Sequence, residues 1–209
     1  MTDADRGEIA PTARSVAKAN RRQALLDAAA ELFAQRGFNG VSIEELGAAA
    51  GVSGPAVYRH FEGKHAVLAA LLTEVSEALL TDGREVLSAA PDAASGLTSL
   101  IGFHVNFALG HPDIIRVQDR DLAHLHPEHR ETVRALQRDY MRLWVTALGE
   151  LQPGSEPAEL RLRVHAAFGL INSTSHSLGS RGAVRGSDHT TAASARSVLE
   201  RMTAAAVLA

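Results

Sequence analysis

Apolar side chains recur along this chain at intervals of three and four residues, and no segment keeps the strict alternation of a strand. Leu25, Ala29, Leu32 and Phe33 form the first such stripe and predict a helix over residues 21–36. Similar stripes predict further helices over residues 64–81, 94–109, 113–122, 128–151, 157–178 and 190–208. With two short helices between the first and the second of these stripes, the pattern predicts an all-α fold of nine or ten helices.

The two short helices are predicted by their end signals. Ser42 and Glu45 have the S-x-x-E spacing of a capping box, so a helix is expected to begin at Ser42. Gly51 allows the backbone to leave that helix, and Ser53 is placed to cap a second helix over residues 53–61. Two helices of this size joined by a glycine turn are typical of the helix-turn-helix of DNA-binding proteins.

Two segments show little periodicity. Residues 1–19 mix polar and small side chains and predict a flexible arm, and residues 83–96, which contain Pro91, predict a short helix and a linker. Four basic side chains lie on or near this arm, namely Arg14, Lys18, Arg21 and Arg22. They either contact a phosphate or the minor groove of DNA, as basic arms do, or remain solvated. These boundaries predict an arm (1–19), a three-helix DNA-binding domain (20–63) and a larger helical domain (64–209).

The second short helix has one side suited to DNA. Helical spacing turns Val57 and Phe61 towards the core, which leaves Pro55, Ala56 and Arg59 on the opposite side. In a major groove that side meets base edges, and Arg59 is its one long side chain able to make a bidentate contact, most often to guanine. The flanking residues then face the phosphate walls, and these are Tyr58 and His60. Lys64 opens the next helix, where a phosphate beside its ammonium would offset the unfavourable macrodipole.

Composition restricts the remaining classes of function. The chain has 209 residues, 45% of them hydrophobic, and no cysteine, which excludes disulfides, thiolate zinc sites and cysteine nucleophiles. No apolar run has the length of a membrane span and no signal-peptide core is present, so a cytoplasmic protein without a membrane partner is expected. The net charge of −3 is not that of a general nucleic-acid binder, so specific DNA binding is expected to rely on a dimer.

The helix-turn-helix segment resembles the TetR family of bacterial transcriptional repressors over about residues 20–72. The matching residues are Phe33, Gly37, Ser42, Leu46, Ala50-Gly-Val-Ser53, Val57-Tyr58, His60-Phe61, Lys64 and Leu68. The resemblance implies a homodimer that binds a palindromic operator, with residues 64–209 forming a ligand-binding and dimerisation domain for a small-molecule inducer. It also implies phosphate contacts by Tyr58, His60 and Lys64. The expected DNA-binding residues are Ser42, Ser53, Pro55, Ala56, Tyr58, Arg59, His60 and Lys64.

Family members often carry a basic or polar residue where this chain has Gly54, and threonine where it has Ala56. This departure removes hydrogen-bond donors from the reading helix. More of the base recognition is therefore expected to fall on Arg59.

A pocket for an inducer is expected in the larger domain. The candidate lining residues are Phe103, His104, Phe107, Arg120, Tyr140, Trp144, His165, Asn172 and His176. The stripe His165, Asn172 and His176 either lines that pocket or bonds across the dimer interface. The context of Tyr140 and Trp144 resembles repressors of lipid and acyl-coenzyme A metabolism, which implies a hydrophobic ligand.

Other chemistries have weaker support in the sequence. His124, His126 and His129 have possible metal-ligand chemistry, but Pro127 disrupts their spacing, so no metal or cofactor is expected. No phosphate-binding loop, nucleophile elbow or zinc-protease motif is present, so an enzyme is not expected. An all-helical interaction protein without sequence-specific DNA binding remains the alternative. Repression is expected only because it is usual in the family, and the sequence does not distinguish it from activation.

Overall fold

The computed structural model describes residues 12–174 and 192–209, and within these ranges it contains helices and no strand. This confirms the predicted all-α class. The helices are α1 (Ala13–Arg36), α2 (Ile43–Ala49), α3 (Gly54–Val57), α4 (Lys64–Ser88), α5 (Ala93–Gly110), α6 (Pro112–Asp121), α7 (Pro127–Leu151), α8 (Pro157–Asn172) and α9 (Ala192–Leu208). Two 3₁₀ turns, Phe38–Gly40 and Leu122–His124, follow α1 and α6.

Helix α1 begins at Ala13, so the flexible arm predicted for residues 1–19 is wrong for residues 13–19. Thr12 caps the helix, because its hydroxyl oxygen accepts the Ser15 N–H at 3.2 Å. The first two turns are mostly exposed and rich in alanine, so helix propensity and a cap form them without an apolar stripe. Residues 1–11 lie outside the described part of the chain.

Helix α4 runs to Ser88, seven residues beyond its predicted end, and only residues 89–92 separate it from α5. The separate short helix predicted within residues 83–96 is therefore wrong, and the linker predicted there is confined to residues 89–92. Gly83 lies inside the helix, where a Cβ atom would stand 2.7 Å from the Tyr140 ring of α7. This glycine permits a close approach of two helices and does not end one. Helix α8 ends at Asn172, and residues 175–178 of the helix predicted over residues 157–178 lie outside the described part of the chain.

Two hydrophobic cores share α4. The first contains Leu25 and Phe33 of α1, Leu46 of α2 and Val57 of α3, all at most 1% exposed, with the amino-terminal half of α4. Burial of each large side chain contributes roughly 1.5–3 kcal/mol. Residues of the larger domain join this core, namely Val117, Leu125 and Val133. The second core is centred on Trp144 and contains residues of α5, α7, α8 and α9 with the later part of α4.

The helix-turn-helix begins as its capping signals predict. Ser42 Oγ accepts the Glu45 N–H at 3.2 Å, and the Glu45 carboxylate accepts the Ser42 N–H at 2.8 Å. These hydrogen bonds with Ser42 lower the pKa of Glu45. Gly51 adopts a φ of 70°, a left-handed conformation that favours glycine in the turn. The predicted side-chain cap by Ser53 is wrong, since only its backbone carbonyl accepts a hydrogen bond, from Ala56 N at 2.8 Å.

Gly47 sets how closely α2 approaches the turn, and Gly47→Ala tests this packing. A Cβ atom there would stand 2.9 Å from the Val52 carbonyl oxygen, which belongs to the backbone and has little room to yield. We expect Gly47→Ala to lower the free energy of unfolding by about 1–3 kcal/mol, measured by chemical denaturation. Gly110→Ala is the matched control, because nothing lies within 4 Å of its added Cβ. Equal stability of the two variants would contradict this packing argument.

Candidate DNA-binding surface and ligand pocket

A basic groove runs between the start of α1 and the helix-turn-helix. Its lining residues are Arg14, Lys18, Arg21, Val52, Ser53, Ala56, Arg59 and His60. The structure thus brings together four of the sequence-predicted DNA-binding residues, Ser53, Ala56, Arg59 and His60. It adds three cations of α1, which the sequence placed on or beside a flexible arm. Because α1 begins at Ala13, these cations occupy fixed positions on a helix facing α3.

The exposure of the reading helix agrees with the predicted faces. Val57 is fully buried and Phe61 is 6% exposed, whereas Tyr58 is 57% exposed. Pro55 and Arg59 are also exposed. Helix α3 is only one turn long, but the N–H groups of His60 and Phe61 both donate to the Val57 carbonyl, at 2.9 and 3.0 Å. Backbone turns therefore hold the residues after α3 in a helix-like path.

The pKa of His60 is affected by the positive charge of this groove. Burial, followed by the charges of Lys18, Arg21, Arg22 and Arg59, lowers the pKa of His60. Its Nδ1 atom is buried and has no hydrogen-bond partner among the described residues. Cations close enough to disfavour a further positive charge also attract an anion such as a phosphate.

Three other basic or capping residues have partners inside the protein. Lys64 Nζ donates to the Val41 carbonyl at 2.8 Å and lies 4.5 Å from the centre of the Phe38 ring. The Val41 oxygen thus accepts a hydrogen bond from the Lys64 ammonium at the start of α4. Arg22 forms an ion pair with Glu74 of α4, and Ser42 is held in its capping box. DNA contacts by Ser42 and Lys64 stay predictions.

A cavity of about 460 Å³ opens between α4, α5, α6, α7 and α8. Its lining residues are Ser76, Leu79, His104, Phe107, Ile115, Gln118, Asp119, Gln137, Tyr140, Met141, His165, Phe168, Gly169, Asn172 and Ser173. Five predicted ligand residues lie together there, namely His104, Phe107, Tyr140, His165 and Asn172. The sequence interpretation missed Gln137. The available signal for Gln137 was its position one turn before Tyr140 on the same helix.

Two other predicted ligand residues lie outside the cavity. Trp144 is fully buried in the second core and does not line the cavity, because its indole fills the space behind Phe168 at a ring distance of 5.0 Å. Phe103 lines a separate cleft between α5 and α9, beside Arg196 and Glu200, because it lies on a different side of α5 from His104. His176 falls outside the described residues.

A chain of hydrogen bonds crosses the floor of the cavity. The Tyr140 hydroxyl lies 3.4 Å from His104 Nδ1, and His104 Nε2 lies 3.2 Å from Asn172 Oδ1. The Asn172 oxygen accepts, so Nε2 carries the proton and Nδ1 accepts from Tyr140. Burial lowers the pKa of His104 to about 4 and raises that of Tyr140. This polar floor is therefore uncharged at neutral pH.

Arg120 was predicted to bind a ligand, and the structure corrects this. Its guanidinium donates to the Phe33 and Ala34 carbonyls at the end of α1, the second at 3.3 Å. It also donates to both carboxylate oxygens of Asp121, at 3.0 and 2.9 Å. The Asp121 carboxylate in turn accepts the Phe38 N–H at 3.3 Å. We call Arg120 and Asp121 the α6 clamp, since they join the end of α6 to the DNA-binding domain.

The histidines considered for a metal take part in ring packing between the domains. His124 stacks on Phe38 at 5.0 Å, and His126 lies 5.2 Å from His65 of α4. His129 is half-exposed, 3.9 Å from Glu128. Within residues 12–174 and 192–209, no group of three or more histidine and acidic side chains is placed to hold a metal ion.

Family models match both parts of the chain. Residues 25–71 match the bacterial regulatory proteins of the tetR family, and residues 90–185 match the tetracyclin repressor-like C-terminal domain. The chain belongs to the TetR family. This confirms the prediction of a DNA-binding transcriptional regulator. Regulators of this family bind operator DNA and small-molecule ligands and act as dimers.

Individual relatives are more distant. The transcriptional repressor KstR2 of Rhodococcus jostii is 26% identical over 160 residues, which are 75% of this chain and 77% of the relative. A TetR-family regulator from Bordetella parapertussis has the same fold, with a TM-score of 0.75 at 23% identity over 87% of this chain and 93% of that one. FadR of Bacillus subtilis in complex with stearoyl-CoA superposes with a TM-score of 0.64 at 19% identity, over 87% and 96%.

Membrane insertion has no candidate segment in the described helices. None of them combines the length and the apolar character needed to cross a bilayer. The family relatives are transcriptional regulators and not enzymes.

Arg59→Ala tests base reading. We expect it to relax base preference at one position in each half-site, at a cost of roughly 1–3 kcal/mol, because a bidentate contact is lost. Lys18→Ala, on the α1 wall of the groove, is expected to weaken all sequences alike and to reduce the salt dependence. Fluorescence anisotropy with a panel of operator variants measures both effects. If the Arg59→Ala variant still discriminates fully between the operator variants, Arg59 does not read a base.

His104 makes the fold sensitive to acid. Its pKa is about 4 when folded against an ordinary 6.5, so the unfolded chain takes up the proton first as the pH falls. We expect the free energy of unfolding to fall by about 3 kcal/mol between pH 6.5 and pH 4 through this residue and to level off below. Urea denaturation at several pH values measures this. His104→Gln should remove that part of the pH dependence, whereas His129→Gln, half-exposed, should retain it.

Proposed function

We propose that this protein is a repressor that leaves its operator when a small molecule occupies the cavity, and that α6 carries the signal. One observation supports this mechanism above the others. Ile115, Gln118 and Asp119 of α6 line the cavity, and the next two residues, Arg120 and Asp121, form the α6 clamp on α1 and Phe38. A ligand that displaces α6 therefore acts directly on the DNA-binding domain.

The DNA-binding half of the proposal requires two copies of the chain. A single reading helix covers few base pairs, whereas a two-fold dimer reads two half-sites about 10 base pairs apart. In each copy Arg59 is proposed to contact base edges. Tyr58 and the cations of the basic groove are proposed to contact phosphates, which set orientation and affinity without base preference.

The faces of α8 and α9 support a dimer built from these helices. Leu162 on α8 is 68% exposed, and Val198 and Met202, one turn apart on α9, are 39% and 50% exposed. Covering these apolar side chains with a second copy would remove them from water, which favours association.

The relatives support the sign of regulation and the class of ligand. KstR2 is named a repressor, and FadR was crystallised with stearoyl-CoA, a ligand with a long apolar chain. The cavity offers apolar surface from Leu79, Phe107, Ile115, Met141 and Phe168. A hydrophobic inducer is therefore proposed here too.

The energetics follow from a population shift. The ligand can weaken operator binding only by its preference for the conformer that binds DNA poorly. A hundredfold loss of operator affinity requires a preference of about 3 kcal/mol. Breaking the hydrogen bonds of the α6 clamp is a cost of comparable size, because bonds to charged groups contribute about 1.5–3 kcal/mol each.

A cavity-filling substitution tests this route without knowledge of the inducer. Ser76 is buried on α4, lines the cavity and bonds only to the Leu72 carbonyl of its own helix, so Ser76→Phe places a ring where a ligand would lie. The operator is first selected from random DNA on the purified protein. We expect Ser76→Phe to weaken operator binding at least tenfold alone and less than twofold in an Arg120→Met background, because the clamp is then already broken.

The controls distinguish coupling through the α6 clamp from a general loss of stability. Ser88→Phe, exposed on the same helix, should leave operator binding unchanged. Equal weakening by Ser76→Phe in both backgrounds would assign the coupling to α4 and not to the α6 clamp. Failure to enrich any palindromic sequence would reject operator binding itself.

A further inference from the structure

The electrostatics of the cavity restrict the ligand more than its size does. Among the described lining residues there is no lysine or arginine, and the two ionisable side chains away from the floor, Asp119 and His165, are both exposed at the rim. His104, Tyr140 and Asn172 on the floor are uncharged and bond to one another. An ionised carboxylate or phosphate on this floor would lose its water without gaining a cation, which is strongly unfavourable.

One polar group on the cavity wall has no partner. The Nε2 atom of Gln137 is buried and lacks a hydrogen-bond acceptor among the described residues. An unsatisfied buried donor costs about 1–3 kcal/mol, so an acceptor brought by a ligand would recover that energy. The Tyr140 hydroxyl is a second adaptable group. Its 3.4 Å hydrogen bond to His104 is long, so a nearer ligand oxygen would compete for the hydroxyl proton.

We infer that the cavity binds an uncharged, largely apolar molecule whose carbonyl or hydroxyl oxygen accepts a hydrogen bond from the Gln137 amide. Phe107, Met141 and Phe168 enclose the apolar part. A pure hydrocarbon fits less well, because it leaves the Gln137 donor unpaired. A free fatty acid fits less well, because none of the floor residues that the structure describes is a cation that would pair with its carboxylate. That the cavity is the inducer site rests on the proposed function. The chemistry of the ligand is inferred from the cavity residues alone.

Four probes of equal chain length and different head groups test the inference. Decan-2-one and decan-1-ol are neutral and carry an acceptor oxygen, whereas decanoate and decylammonium are charged at pH 7.5. Isothermal titration calorimetry on the full-length protein is expected to show the ketone and the alcohol binding at least tenfold more tightly than either charged probe. Equal or tighter binding of a charged probe, or no binding of either neutral probe, would overturn the inference.

Two variants locate the acceptor contact. Gln137→Leu is expected to weaken decan-2-one about tenfold while the variant melts at the same or a higher temperature, because it removes an unpaired buried donor. Gln23→Leu, exposed on α1 and bonded to Asp27, should leave decan-2-one binding unchanged. If Gln137→Leu binds decan-2-one as tightly as the unsubstituted protein does, Gln137 does not contact the ligand and the inference is wrong.

Operator release by the ketone is measured separately. Binding with the expected head-group preference but without release of DNA would uphold the ligand class and reject the proposed control of DNA binding. Release by the ketone and by decan-1-ol, but not by decanoate, would support both.

Discussion

Asp121 is a carboxylate with only 2% of its side chain exposed, at the junction of the two helical domains. A charge so placed is tolerated only when paired and hydrogen-bonded, and here the Arg120 guanidinium and the Phe38 N–H satisfy it. The same guanidinium satisfies two carbonyls at the end of α1. Helix α6 therefore cannot leave α1 without breaking the hydrogen bonds of Arg120 to the α1 carbonyls and of Asp121 to the Phe38 N–H, and this constraint fixes the DNA-binding domain relative to the cavity.

Helix α4 provides the second connection between the domains. Its first half belongs to the core beneath the helix-turn-helix, and its second half contacts α7 so closely that Gly83 has no room for a side chain. Ser76 lies between these halves and faces the cavity. A ligand thus meets two elements that reach the DNA-binding domain, one through packing and one through the hydrogen bonds of the α6 clamp to α1 and Phe38. Packed interfaces of this kind change between discrete arrangements and do not deform gradually.

The basic groove and the cavity differ in their electrostatics, because one is charged and the other has a neutral floor. The basic groove collects Arg14, Lys18, Arg21 and Arg59 near solvent, where attraction to phosphates is strong at low salt and is screened as salt rises. The cavity floor is neutral and largely shielded from water, where single hydrogen bonds decide which molecule fits. Operator affinity should therefore depend on ionic strength far more than ligand affinity does.

The sequence by itself determined the features that depend on neighbours a few residues apart: the all-α class, the Ser42–Glu45 capping box, the glycine turn and the exposed face of the reading helix. Helical period and end signals encode these locally, so they could be predicted. Tertiary structure alone decided which groups Arg120 and Lys64 bond to and that Gln137 lines the cavity. Arg120 bonds to carbonyls more than 80 positions away, and Lys64 to one 23 positions away. No local pattern carries such partners, because packing of distant helices chooses which polar groups meet.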